Sequence, residues 1–182
     1  MQVNYTQEQL DIQPQLAAAN INPDSFLATD YLNHFNEIVM LMEMVPDMPE
    51  LLEEAVDWSP KSYAQHFEES GFQAKDLAIT AYRIAPTVYK SPFETICSEM
   101  QGIIQTTVNG LVAVNVVERG LSPAAQALIR GRIEILQTLL MKLNQLIHGK
   151  FEEMTQEEST KIAQTKPQDA IQSQEDIDKL FD

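Results

Sequence analysis

A single cysteine, Cys97, is the only thiol in this chain of 182 residues, so no disulfide can form within it. No apolar run approaches the roughly 20 residues that span a bilayer. The opening stretch MQVNYTQEQLDIQPQ has neither a basic n-region nor an apolar h-region, so no secretory signal is expected. Together these absences predict a reducing, cytoplasmic setting. Bases are scarce as well: 12 Lys and Arg stand against 27 acids, for a net charge of -15. A protein that neutralises phosphates needs a basic face, which excludes nucleic acid and anionic membrane surfaces as expected partners.

Chemistry-bearing patterns are missing too. There is no Gly-rich phosphate loop, no nucleophile elbow and no Ser-His-Asp arrangement. The three histidines, His34, His66 and His148, fall singly, without the i, i+4 or Cys/His spacing of a metal site. The sequence therefore predicts no metal and no cofactor. No alternating apolar run is bounded by hairpin turns, so strands are not expected.

What remains is a helical text. Hydrophobic residues make up 44%, an ordinary globular share, and the length suits one domain with tails. Asp47-Met48-Pro49-Glu50 and Ser91-Pro92-Phe93-Glu94 combine a capping side chain, an early Pro and a Glu three residues on. Ser59-Pro60 and Ser122-Pro123 supply the cap and the Pro alone. These signals predict helices near 28–44, 48–57, 60–69, 74–84, 92–118 and 123–148. The last two are long and joined by Glu118-Arg119-Gly120-Leu121, short enough to force an antiparallel hairpin.

In the second long helix Ile129, Ile133, Leu136, Leu140, Leu143 and Ile147 step by four and three, a seam for a partner helix. Leu128, Ile135, Leu139 and Leu146 form a second stripe beside it. Two stripes need two partners, either the N-terminal helices or a second copy of the chain, so a homodimer stays open. Gly102, Gly110 and Gly131 inside the long helices read as points of close helix approach. The fold class is thus all-α: a helical bundle around a long antiparallel hairpin, with flexible N- and C-terminal tails. Its divisions are a flexible N-terminal segment (1–25), the bundle (26–149), an acidic flexible linker (150–171) and a C-terminal docking helix (172–182).

Charge follows these divisions. Residues 1–90 hold 14 acids and 4 bases, residues 91–150 hold 4 and 5, and residues 151–182 hold 9 and 3. The near-neutral middle is the part expected to pack. On the first long helix Gln101, Gln105 and Asn109 recur every four residues. Amides held on a rigid helix can orient a water for attack on a phosphoryl group; the alternative is a solvated face or a polar layer that fixes register.

The C-terminal stretch QSQEDIDKLFD is amphipathic. As a helix it sets Ile177, Leu180 and Phe181 on one ridge, with Glu175, Asp176, Asp178 and Asp182 elsewhere. Ser173 is a natural N-cap with Asp176 at N3. So short a helix is marginal alone, and the design suits a ligand that folds into a groove.

Ser173-Gln174-Glu175-Asp176-Ile177-Asp178-Lys179-Leu180-Phe181 resembles the docking motif of the flagellar motor switch family FliM, Ser-Gln-x-x-Ile-Asp-x-Leu followed by Leu or Phe. In that family the peptide is N-terminal and binds the phosphorylated chemotaxis response regulator CheY; here it is C-terminal. The resemblance implies a receiver-domain partner, contacted by Ser173, Gln174, Ile177, Asp178, Leu180 and Phe181.

A long hairpin, a linker and a docking helix are similar in layout to the chemotaxis phosphatase family CheZ, whose catalytic helix carries Asp-Leu-Thr-Gly-Gln. The nearest stretch here is Glu99-Met100-Gln101-Gly102-Ile103. It has Glu for the Asp and Ile103 at the amide position, leaving Glu99, Gln101 and Gln105 as the catalytic candidates. A shorter echo of the docking motif, Thr6-Gln7-Glu8-Gln9-Leu10-Asp11, lies near the N-terminus.

The expected function is a chemotaxis or two-component signalling regulator that docks a CheY-like receiver domain, as an adaptor or localisation factor. Two rivals remain. One is a response-regulator phosphatase using the hairpin amides with Mg²⁺ supplied by the receiver. The other is a structural helical protein whose tail packs on itself.

Overall fold

The computed structural model describes residues 2–150, and among them there are eight α-helices and no strand. They are α1 (Gln7–Leu16), α2 (Leu32–Met44), α3 (Leu52–Asp57), α4 (Tyr63–Glu69), α5 (Lys75–Arg83), α6 (Thr87–Ala113), α7 (Val116–Arg119) and α8 (Pro123–Ile147). Short 3-10 turns precede α2 and α3 and follow α1. The all-α bundle around a long hairpin is therefore the fold. The expected linker and docking helix, from residue 151 onward, lie outside the described residues.

Helices α6 and α8 form the antiparallel pair, and α2 packs along α8 while α3 packs on α2 and α6. Helices α4 and α5 pair with each other, and α1 lies on α5. The seam read on α8 is the core. Ile129, Ile133, Leu136, Leu143 and Ile147 are buried, and Leu140 is half-buried. Opposite them α6 contributes Phe93, Met100, Ile104, Val108 and Leu111, and α2 contributes Phe35, Ile38, Val39 and Met42. Burying each such side chain contributes about 1.5–3 kcal/mol. The N-terminal helices thus supply the second partner that the sequence left open.

Several boundaries move, each for a physical reason. Helix α6 begins at Thr87, so Ser91-Pro92 does not open it and Pro92 lies inside. Pro92 withholds the N–H that would reach Val88, and one turn on the Thr95 hydroxyl donates to the Ser91 carbonyl at 3.0 Å. Helix α6 stops at Ala113 because Asn115 adopts a left-handed conformation (φ 54°), a region in which Asn is several-fold enriched. The connection is therefore a short helix closed by Gly120 at φ 70° rather than a bare turn. Ser59-Pro60 caps nothing; Ser62 caps α4, exchanging bonds with Gln65 in a capping box. Ser122 does cap α8, with Pro123 in its first turn.

The expected flexible segment over 1–25 is a correction. Thr6 and Gln9 form a reciprocal capping box that starts α1. Gln9, buried, also donates from Nε2 to the Ile84 carbonyl at 2.7 Å, pinning α1 to the α5–α6 junction. Leu16, Ile21 and Phe26 are fully buried. Asn22-Pro23 is not a boundary but a knot. Asn22 Oδ1 accepts the Asp24 and Ser25 N–H groups, and the Ser25 hydroxyl donates to the Ile147 carbonyl at the end of α8. Gly149, at φ 70°, passes so close that a Cβ there would stand 3.1 Å from that of Asp24. Its apolar residues are few, yet Leu16 and Ile21 are fully buried and Val3, Tyr5 and Ile12 pack against the core.

Gly102 and Gly131 are a second correction. A Cβ added to either would meet nothing within 4 Å, so neither serves close approach between described helices. An exposed helical Gly costs about 1 kcal/mol against Ala. Gly102→Ala should therefore raise stability by about 0.5–1 kcal/mol in chemical denaturation; a loss would mean that the position is contacted.

Two truncations test the core and the clasp. Leu136→Ala should cost ~2–5 kcal/mol, as for a fully buried Leu. Ser25→Ala should cost ~1–3 kcal/mol by leaving the buried Ile147 carbonyl without its donor. Urea midpoints that stay at the parental value would place these residues outside the core.

Candidate functional site

The candidate amides line one side of α6. Gln101 is half-buried, and Gln105 and Asn109 are exposed along α6. At 3.6 residues per turn, Glu99 lies about 120° around the helix from Gln105 and about 160° from Gln101. Acid and amide therefore diverge. An adjacent carboxylate, Glu94, accepts the Tyr82 hydroxyl at 2.7 Å instead. An amide that orients water needs a second group facing the same point, and α6 does not bring Glu99, Gln101 and Gln105 to one.

The richest polar chemistry lies in the N-terminal half. Tyr31, at the start of α2, sits amid rings: Phe35 edge-on at 5.6 Å, Tyr63 at 5.2 Å, His66 edge-on at 5.5 Å and Phe93 at 5.7 Å. Such pairs contribute about 0.5–1.5 kcal/mol beyond area. His34 stacks on Trp58, 4.8 Å between centroids and 20° between planes. The Trp58 indole N–H donates to the His34 carbonyl at 3.1 Å, and the Lys61 backbone N–H donates to His34 Nε2 at 3.0 Å. Accepting that bond makes Nε2 the unprotonated nitrogen. His66 Nε2 pairs with Asp30 at 2.9 Å.

Asp30 also lines an open cleft of about 650 Å³, with Gln15, Asn20, Ser70, Phe72 and Gln73 on its walls. The arrangement looks like acid, base and hydroxyl, but the connection fails. The Ser70 hydroxyl donates to the Phe67 carbonyl at 3.3 Å and accepts the Phe72 N–H, so it serves the α4–α5 turn rather than His66. Among the described residues no group of three or more His, Cys, Asp or Glu is placed to hold a metal ion. Cys97 is buried and its thiol is pushed up to about 12, by burial first and by Glu94 second. A thiol held protonated in this way is inert as a nucleophile.

Ser173, Gln174, Ile177, Asp178, Leu180 and Phe181 lie outside the described residues. The echo at Thr6–Asp11 has a structural role: Thr6 and Gln9 are the cap of α1. Sequence reasoning treated His34 and His66 as isolated and missed their cluster. The one available signal was the aromatics Tyr31, Trp58, Tyr63 and Phe67 near them in sequence. No helix among the described residues is long and apolar enough to cross a membrane. Comparison with family models, curated proteins and solved structures gives no match.

Burial, and next the nearby His66, lowers the His34 pKa from 6.5 to about 4. The unfolded chain thus binds this proton more readily than the folded one. The stability tied to neutral His34 is complete above about pH 6.5 and is lost as pH falls toward 4. The loss is on the order of 3 kcal/mol at the acid end. His34→Gln, which keeps an acceptor for Lys61, should flatten the stability–pH curve in that window. Parallel curves for the two proteins would show that His34 takes up its proton equally in the folded and unfolded states.

Proposed function

We propose that this protein is a non-enzymatic cytoplasmic adaptor in a chemotaxis or two-component signalling system, with the helical core carrying a C-terminal peptide that docks a receiver domain. The observation that carries it is the sequence Ser173–Phe181, in which Ile177, Leu180 and Phe181 fall at i, i+3 and i+4 after Ser173, with Asp178 among them. The fold supports the reading in two ways. The core of residues 2–150 closes around its own seam, and the catalytic candidates Glu99, Gln101 and Gln105 do not converge, which disfavours the phosphatase. A receiver groove would take the ridge as its apolar anchor, and a basic residue at its rim would meet Asp178.

Fluorescence anisotropy of a labelled 169–182 peptide against a purified receiver domain, with and without a phosphoryl mimic, tests the reading. Phe181→Ala should weaken binding by roughly ten-fold or more, the cost of one unburied anchor. Asp178→Asn should act more mildly and through salt dependence. No binding to any receiver domain of its host in either state would end the proposal.

A further inference from the structure

A pocket of about 320 Å³ opens where α3, α6 and α7 meet. The break between α6 and α7 builds it. Asn115, left-handed at φ 54°, turns the chain so that Val116 enters the core while Val112 and Val117 stay at the surface. Leu52 and Val116, both buried, form the floor. The walls are Val112 and Val117 from the break and Val56 from α3, each 44% to 50% exposed. Three branched apolar side chains left half in water around one opening are surface that a partner's burial would stabilise. The volume stands at the small end of ligand pockets, which run from ~300 to ~1,000 Å³. It suits one or two bulky side chains.

Charge selects the occupant. Glu53 lines the pocket itself, and Asp57, four residues on, lies on the same flank of α3. Neither forms an ion pair among the described residues. A third carboxylate is held at the rim by Asn115, a lining residue whose Nδ2 donates to Glu118 Oε2 at 2.8 Å. Among the described residues no Lys or Arg lines the pocket. Helix α3 carries no base, and the base nearest in sequence, Arg119, lies about 160° around α7 from Val117. An apolar hollow with three carboxylates at its edge is complementary to an apolar side chain flanked by Lys or Arg. A second copy of the chain would bring the same carboxylates into contact, so like charge disfavours self-association through this face.

We propose that this pocket docks a basic segment of a partner protein, anchored by a Leu- or Phe-sized side chain between lysines or arginines. In an adaptor it supplies the second partner, held by the core. The site is built from described residues alone, so it stands apart from the receiver-docking reading and goes beyond it.

The test titrates the isotope-labelled full chain with three synthetic peptides and follows backbone amide shifts. The first is an amphipathic helix of Leu and Lys, the second has Gln for each Leu, and the third has Glu for each Lys. The Leu–Lys peptide should shift Val56, Val112 and Val117 together and saturate. The Gln–Lys peptide should bind roughly ten-fold more weakly, and the Leu–Glu peptide should leave the three valines unmoved. Val56→Gln combined with Val117→Gln, both at exposed positions, should weaken Leu–Lys binding by roughly ten-fold. Glu53→Gln combined with Glu118→Gln should weaken it roughly three- to ten-fold at low salt and less at high salt. Equal binding of the Gln–Lys peptide would reduce the effect to net charge and overturn the proposal. Shifts centred elsewhere on the chain, or affinity unchanged in both double variants, overturn it as well. Because no receiver domain is present, failure here leaves the receiver reading intact, and failure of the receiver titration leaves this one intact.

Discussion

Helix α8 must satisfy two neighbours at once, and most of the architecture follows from how that is done. Its buried residues Ile129, Leu136, Leu143 and Ile147 face a shared core with α2 and α6. Polar contacts fix the rotation of the helix about its axis: Arg132 to Thr107 on one side, Gln137 to Glu43 on the other. Neither bond is worth much alone at a partly exposed site. Their value is register, because a slip of one residue turns α8 by about 100° and takes the seam out of the core. Once that rotation is set, Leu139 and Leu146 of the second stripe are still buried, while Ile135 is left 50% exposed.

The N-terminal half completes the bundle by a different strategy. Instead of a long seam it uses short helices bound by rings and backbone-directed polar groups. The Tyr63 hydroxyl accepts the Ala28 N–H at 2.9 Å, and the Tyr31 hydroxyl donates to the Lys61 carbonyl at 2.8 Å. Burial raises both phenol pKa values, so both stay neutral. Asp30 pairs with His66 at the edge of this cluster, and no acid among the described residues is fully buried, so a strongly acidic half folds without burying an unpaired carboxylate. Phe26 shows what the packing can enforce. It sits at φ 65° and is fully buried against Tyr5, a conformation that a bulky side chain holds only under constraint.

The hairpin was legible because its signal is local and repeated. A seam stepping by four and three over Ile129–Ile147 leaves little freedom in assigning either the helix or its buried face. Helix starts were less legible, since Ser-Pro is a cap at Ser122 and an interior pair at Ser91. The two differ in what precedes them, not in themselves. The N-terminal segment was misread because its anchoring is nonlocal: Gln9 to Ile84 and Ser25 to Ile147 are contacts no window of sequence contains. The histidine cluster was hidden for the same reason, with His34, Trp58 and His66 brought together only by α2, α3 and α4. Gly102 and Gly131 were assigned to helix contact by analogy, whereas both face open space.

The cap of α1 also divides the tail motif into two kinds of information. Thr6-Gln7-Glu8-Gln9 and Ser173-Gln174-Glu175-Asp176 share a capping hydroxyl followed three residues later by a side chain able to accept the cap's N–H. At Thr6 this pattern is used simply to begin a helix: the Gln9 N–H meets Thr6 Oγ1 at 3.3 Å and the Thr6 N–H meets Gln9 Oε1 at 2.8 Å. The first four residues of the docking motif thus encode a helix start, which any amphipathic helix can share. What distinguishes the tail from α1 must come from the next five positions, Ile177 to Phe181. Helix α1 has Leu10, Asp11 and Ile12 there and then Pro14, so it lacks the apolar pair that the tail sequence has in Leu180 and Phe181. The proposed receiver docking therefore rests on the sequence spacing of Ile177, Leu180 and Phe181.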